Sequence, residues 1–284
     1  MKRSLLLGAP MLVLMVAACS SDSTGPISIT AADINQAAVI SASDATAEDV
    51  SILSASDMTM SGGAVQTVVG GGLMMSRIPS GAAPSYTWTF GTGCTYSAST
   101  GRFSCPPMTD GGLTLNRDYG FFDANQAAQS AYSASTTASA NFHVNVAGVH
   151  VAAAGADTVN RDRSLTVSGL AGAETSRTWN GTGTRNDGGY RQETDVKRNY
   201  HTTDAVTVSN VVVNLPRSSN PWPMSGSITR QISGTASISR SGVSKSFAVT
   251  RTVTITFNGT QYATVTVGSD TYTLDLSTGV ATKN

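Results

Sequence analysis

A chain of 284 residues with 13% charged and 6% aromatic side chains, 28 glycines and no net charge must build its core mainly from Val, Ile and Ala. That composition suits pleated sheets carrying short side chains and argues against a helical bundle. No stretch combines a basic stripe with interleaved aromatics, so nucleic acid is not an expected partner.

Lys2 and Arg3 precede an apolar run from Leu5 to Val16, broken only by Gly8 and Pro10. This is the layout of a secretory signal peptide, too short to persist as a spanning helix. At its end, Val16-Ala17-Ala18-Cys19 resembles the lipobox of bacterial lipoprotein precursors: a branched apolar residue, two small residues and a cysteine. The resemblance covers this leader alone. It implies cleavage before Cys19, a diacylglycerol on the Cys19 thiol and further acylation of the new amino terminus. The protein would then be held on the membrane of the cell envelope through the lipid on Cys19. In such lipoproteins an Asp after the cysteine favours the inner membrane, so Ser20 points to the outer one, facing the periplasm or the exterior. The plainer alternative is an ordinary secretory signal cut beside a cysteine.

Three segments follow: a signal peptide over 1–18, a lipidated tether and weakly helical leader over 19–75, and an antiparallel β domain over 76–284. Charge divides along the same line. Asp22, Asp33, Asp44, Glu48, Asp49 and Asp57 lie before Met60 with no Lys or Arg after Cys19, while Ser61–Asn284 carries 16 basic and 12 acidic residues. Solvation of the acidic stretch is the simple reading.

Ser20 to Pro26 reads as a tether, and Thr30-Ala31-Ala32-Asp33 has the form of a helix start. Ile34, Ala37, Ala38 and Ile40 suit one face of a short helix, and Thr46 to Leu53 suits a second. Neither holds enough large apolar residues to stand alone. Ser61 to Gly72 is a glycine-rich link.

Beyond Arg77 the period becomes two. Tyr86, Trp88, Phe90, Cys94 and Tyr96 share one parity. A hairpin turning at Ser99-Thr100-Gly101 sets Cys94 opposite Cys105 and Tyr96 opposite Phe103. Directly opposed strand residues are within disulfide reach, and an oxidising compartment would form the Cys94–Cys105 bond. Leu113, Leu115, Tyr119 and Phe121 alternate with Arg117 on their apolar side. Asn125 to Thr137 is open between a helical turn and a loop. Phe142, Val144 and Val146 are out of phase with Val149 and Val151, which a bulge at Ala147-Gly148 would reconcile. Residues 164–215 read as about four strands, with a turn at Asn186-Asp187-Gly188-Gly189.

Two long strands turning at Ser241-Gly242 pair Gly226 with Phe257, Ile228 with Ile255, Gly234 with Val249 and Ala236 with Phe247, small against large. A three-residue loop at Asn258-Gly259-Thr260 then sets Ile255 opposite Ala263 and Val253 opposite Val265. A last hairpin at Ser269-Asp270 sets Val265 opposite Leu274 and Val267 opposite Tyr272. The expected fold is all-β: a long antiparallel meander of about ten to twelve strands. It forms a curved open sheet, a half-barrel or a sandwich, behind the weakly helical leader.

Arg117, Arg230 and Arg251 interrupt apolar faces. They could line a partly apolar cavity that takes an amphiphile with an anionic head, or pair with carboxylates such as Glu193 and Asp195. His143, His150 and His201 have no metal spacing. No nucleophile elbow, Ser-x-x-Lys or phosphate loop is present, so neither a catalytic residue, a metal nor a cofactor is assigned. Trp222, between Pro221 and Pro223, suits a plug at the end of the sheet. A membrane-spanning barrel is disfavoured, because its lipid-facing band would not carry arginines near mid-strand. The functional expectation is a lipid-anchored, non-enzymatic binding or scaffolding β domain that meets another envelope protein. The alternative is a carrier of lipid or another amphiphile. An enzyme acting on envelope polysaccharide has the least support.

Overall fold

The computed structural model describes residues 31–60, 67–69, 87–89, 93–152, 154–172, 174–193, 196–240 and 243–284. The signal peptide, Cys19, the tether, Thr30, Tyr86, Phe90, Asp195 and the Ser241-Gly242 turn lie outside them, as does the side chain of Glu193.

Among the described residues the first elements are the helix α1 (Ala31–Met60) and two short strands, β1 (Thr67–Val69) and β2 (Thr87–Thr89), which pair with each other. Next come β3 (Thr95–Ser97), β4 (Arg102–Ser104), β5 (Met108–Asp110), β6 (Leu113–Phe122) and β7 (Ala128–Gln129). The long strands are β8 (Ser139–Ala152), β9 (Gly155–Ser168), β10 (Ser176–Glu193), β11 (Val196–Asn214), β12 (Ser225–Arg240) and β13 (Val243–Thr256). Three shorter ones, β14 (Tyr262–Val267), β15 (Asp270–Asp275) and β16 (Val280–Lys283), close the chain. Strands β3 to β16 form one open antiparallel sheet of 14 strands, running from β3 at one edge to β16 at the other, with β5 and β7 as short additions on β6.

The first hairpin follows the predicted register: Tyr96 pairs with Phe103, and Cys94 is bonded to Cys105. Tyr96, Phe103, Tyr119, Phe121, Phe142 and Trp179 continue from there as a chain of ring contacts 4.8–5.8 Å apart. The β12–β13 pairing also follows prediction, with Ile228 opposite Ile255, Gly234 opposite Val249 and Ala236 opposite Phe247.

Four expectations are corrected. Residues 164–215 hold fewer and longer strands, and Asn186–Gly189 is mid-strand in β10. The glycine there serves close approach: a Cβ on Gly189 would lie 2.6 Å from Asp157 Oδ1 and 3.0 Å from the Tyr200 ring. There is no bulge at Ala147-Gly148. The β8–β9 register runs unbroken, and Val149 and Val151 stay on the outer face. The last two hairpins keep their predicted faces but slip by two residues, pairing Ile255 with Val265 and Val265 with Tyr272. A wider loop takes up the difference after β13, where Asn258 Oδ1 accepts from the Thr260 amide and the Gly259 carbonyl accepts from Asn220 Nδ2. Finally, the two weak helical stretches are one helix.

The sheet has one buried and one wet face. On the outer face Thr182, Thr207, Thr229, Thr254, Thr266 and Thr271 stand in one row across β10 to β15. Threonine fits a pleated, solvated surface. On the inner face Val, Ile and Leu side chains form a single core with the helix. In α1 the buried residues Ala38, Ala42, Ala45, Asp49, Ile52, Leu53, Ser56 and Met60 recur at helical spacing. Small residues over the first half of that stripe let the helix lie close to the strands.

Leu53 is 1% exposed within the shared core. Leu53→Ala should lower unfolding stability by about 2–5 kcal/mol in urea denaturation, the range for large-to-small core changes. A loss under about 0.5 kcal/mol, typical of surface positions, would mean that the helix is an appendage.

Candidate functional site

The inner face carries its arginines in two neighbouring cross-strand rows. One row contains Arg117, Val144, Arg163, Gly183, Val206, Arg230 and Val253; the next contains Arg161, Arg185, Asp204, Ile232 and Arg251. Strand alternation makes this unavoidable once the register is set, because all these positions point to one side. Arg161 and Arg185 are directly opposed, an unfavourable like-charge pair unless something anionic bridges them.

Asp187 is that bridge. It accepts from Arg161 Nη2 at 2.8 Å and from Arg185 Nε at 2.5 Å, and is itself fully buried. The remaining acids come from the helix and from β11. Glu48 Oε2 accepts from Arg161 Nη1 at 2.5 Å, and Asp49 Oδ1 accepts from Arg163 Nε at 2.8 Å. Arg230 donates to Asp49 through Nη2 and to Asp204 through Nη1. Four guanidinium groups thus meet four carboxylates, and no member of the cluster is more than 6% exposed. Gly183 makes room for it, since a Cβ there would sit 2.6 Å from Arg163 Cδ.

At Arg161, Arg163 and Asp187 burial opposes the charge, and the partners outweigh it. For Arg161 and Arg163, desolvation acts to lower the pKa, but the helix acids, with Asp187 beside Arg161, raise it above the usual arginine range. For Asp187, desolvation acts upward, yet Arg185 and Arg161 hold its carboxyl below the usual carboxylate value.

The three arginines singled out in the sequence part company. Arg230 is 0% exposed at the centre of the cluster, held by Asp49 and Asp204 where Glu193 and Asp195 were expected. Arg251 is half-buried beside the first turns of α1, donating to Asn35 Oδ1 at 2.6 Å and to the Thr250 carbonyl at 2.8 Å. Asn35 in turn donates to Asp270. Arg117 is buried away from the helix acids, with Met108 Sδ 2.8 Å from Nη1, and desolvation lowers its pKa. Sequence reasoning missed Arg161, Arg163 and Arg185, and with them the helix acids. Two adjacent acids in a weak helix were the available signal, together with β9's own alternation, Asp157, Val159, Arg161, Arg163, Leu165 and Val167, which puts charge on an otherwise apolar face.

A second group lies on the outer face. His143 bridges two carboxylates, with Nδ1 2.9 Å from Asp118 Oδ2 and Nε2 2.8 Å from Asp162 Oδ2. Donating to both requires the doubly protonated ring. Desolvation disfavours that charge, but the ring's hydrogen bonds to Asp162 and Asp118 outweigh it and raise the pKa above 6.5. Arg102 pairs with Asp118 and donates to Asn141 Oδ1 at 2.6 Å. His150 Nδ1 donates to the Gly111 carbonyl at 2.9 Å, and His201 is exposed on β11. Among the described residues, no three His, Cys, Asp or Glu side chains are grouped to hold a metal ion. Trp222 is half-buried in the connection from β11 to β12, whereas Trp179 is fully buried.

Two outcomes follow. Arg230→Met leaves Asp49 and Asp204 buried without their shared cation, and should cost about 3–5 kcal/mol in denaturant unfolding, the range for breaking a buried pair. Because the folded-state pKa of His143 is raised, its stabilisation is complete below pH 6.5 and is lost as the pH rises through the folded value. Thermal melts should therefore show the wild type above His143→Gln at pH 6 and converging with it at alkaline pH, while Asp187 acts oppositely, losing its contribution only as the pH falls below about 3.8.

No protein-family model, no curated protein and no solved structure matches this chain, so function has to be read from these residues.

Proposed function

We propose that this is a lipid-anchored protein of the bacterial cell envelope, attached through Cys19, whose sheet works as a non-enzymatic binding or scaffolding module. The observation that carries the second half is the occupied inner face. At the centre of that face Arg161, Arg163 and Arg230 are paired with the chain's own helix, through Glu48 and Asp49. What remains for a partner is the hydroxyl-rich outer face and the sheet's ends and edges. The groups capable of acid–base work, His143 with Asp118 and Asp162, are locked into mutual hydrogen bonds and partly exposed on a flat strand surface. That favours a structural role over catalysis, which needs a shaped, water-excluding site. The carrier reading requires α1 to leave the sheet, exposing two unbalanced arginine charges at the places of Glu48 and Asp49.

Cells fed an alkyne-bearing fatty acid should label the protein, and Cys19→Ala should abolish the label; an unlabelled wild type would overturn the anchor. Mild crosslinking of intact envelopes followed by pull-down should recover one specific envelope protein. Native mass spectrometry that finds a co-purified lipid instead would favour the carrier.

A further inference from the structure

The hairpins β8–β9, β10–β11 and β12–β13 occupy six neighbouring strands of the sheet. Their tips fall at the same end and stand nearly level. Ala152 pairs with Gly155, Glu193 with Val196 and Arg240 with Val243. Across hairpins, Gly155 is opposite Arg191 and Val196 is opposite Arg240. The neighbours stop short of them. Pairing with β6 ends at Gly148 of β8, and β14 leaves β13 at Val253. Val243–Thr252 therefore runs on past the β14–β15 turn by about 33 Å at 3.3 Å per residue.

Among the described residues, the helix's side-chain polar contacts with the sheet fall on the two arginine rows and on Asp270. Five of the seven large apolar residues exposed among the described ones lie beyond those rows: Val149 (47%), Val151 (73%), Tyr190 (43%), Ile238 (39%) and Val243 (66%). They are on both faces. Val149, Val151 and Tyr190 alternate outward, whereas Ile238 and Val243 share the inner parity of Ile232 and Val249. Among the described side chains, the same three tips carry Lys197, Arg198, Arg240 and Lys245, a concentration of positive charge.

A folded partner laid on a sheet covers one of its faces. Apolar side chains on both faces of a projecting end are covered together by a medium that closes around them, and the interfacial zone of a bilayer is such a medium. Valine, isoleucine and tyrosine suit that depth, and flanking Arg and Lys reach lipid phosphates along their apolar stems. Reach is sufficient as well. The twelve peptide links from Cys19 to Ala31 span at most about 40 Å when extended, further than the projection of the tips past the β14–β15 turn, beside which Asn35 of α1 is held by Asp270. We propose that these three hairpin tips are a second membrane contact, dipping into the headgroup region of an anionic bilayer. This rests on the envelope reading only for the presence of a membrane surface.

The test uses the processed chain, residues 19–284 with Cys19→Ser, which keeps every described residue and cannot be acylated. It is sedimented with vesicles of phosphatidylcholine alone or of phosphatidylcholine and phosphatidylglycerol in equal parts. Co-sedimentation is expected with the anionic vesicles, weakening as salt is raised, and reduced about tenfold or more by Val151→Asp with Val243→Asp. Both positions are exposed, so the double variant should melt like the parent, which separates lost binding from lost folding. Failure to sediment with anionic vesicles, equal binding to both compositions, or binding that the double variant leaves unchanged would overturn the proposal. So would a dimer in solution that the same double variant splits, since the tips would then be a self-association surface. Because this chain carries no lipid, a failure here leaves the acylation of Cys19 standing, and a failure of acylation leaves this result standing.

Discussion

Eight buried charges fix how the helix meets the sheet. Arg161, Arg163, Arg185 and Arg230 could not be stacked on one side of a sheet without compensation, and the sheet itself supplies only Asp187 and Asp204. The other two carboxylates, Glu48 and Asp49, arrive on α1. Buried ion pairs are weak sources of net stability but severe penalties when incomplete. The cluster therefore acts mainly as a specification. It fixes where along the sheet the helix lies, which turn of the helix faces β9 and β12, and why residue 183 is a glycine.

From that constraint the rest of the architecture follows. An open sheet of this width with one apolar face needs a cover, and a 30-residue helix is about 45 Å long at 1.5 Å per residue. It crosses several strands, from Asp270 on β15 to Arg161 on β9, but it cannot cover the full length of strands of 14 to 19 residues. The middle of the sheet is buried under the helix. The β3–β8 side is sealed by its own aromatic chain and the Cys94–Cys105 hairpin. Toward the tips of the three long hairpins Val151, Ile238 and Val243 reach the surface. Pairing of the arginines with Glu48 and Asp49 and exposure of apolar residues toward the tips are thus two consequences of one helix placed at one level.

Much of this was legible in the residues. The disulfide hairpin and the β12–β13 register could be read because several independent signals (a cysteine pair, an aromatic pair, small residues opposite large ones) agree on one pairing. The slips after β13 arose where only parity was available: Val253, Ile255, Val265 and Val267 satisfy the same face in either register, and the Asn258 and Gly268 turns decide between them. Asn186-Asp187-Gly188-Gly189 looked like a turn because every residue in it favours one. In the fold, the same types are needed for tertiary reasons, Asp187 to bridge two arginines and Gly189 to admit Asp157 and Tyr200. The helix acids were misread because composition assigns charge to solvent by default, and their partners lie more than a hundred residues away.

The central claim is that α1 is an integral part of the fold, locked to the sheet by shared buried charge. Native-state hydrogen exchange tests it most directly, because it reports the opening free energy of each segment separately. The amides around Ala45–Leu53 should exchange only through the same opening that releases the central residues of β9, β11 and β12. Exchange of the helix amides with near-zero protection while those strands stay protected would contradict it, and would show a helix that comes and goes over a sheet that stands alone.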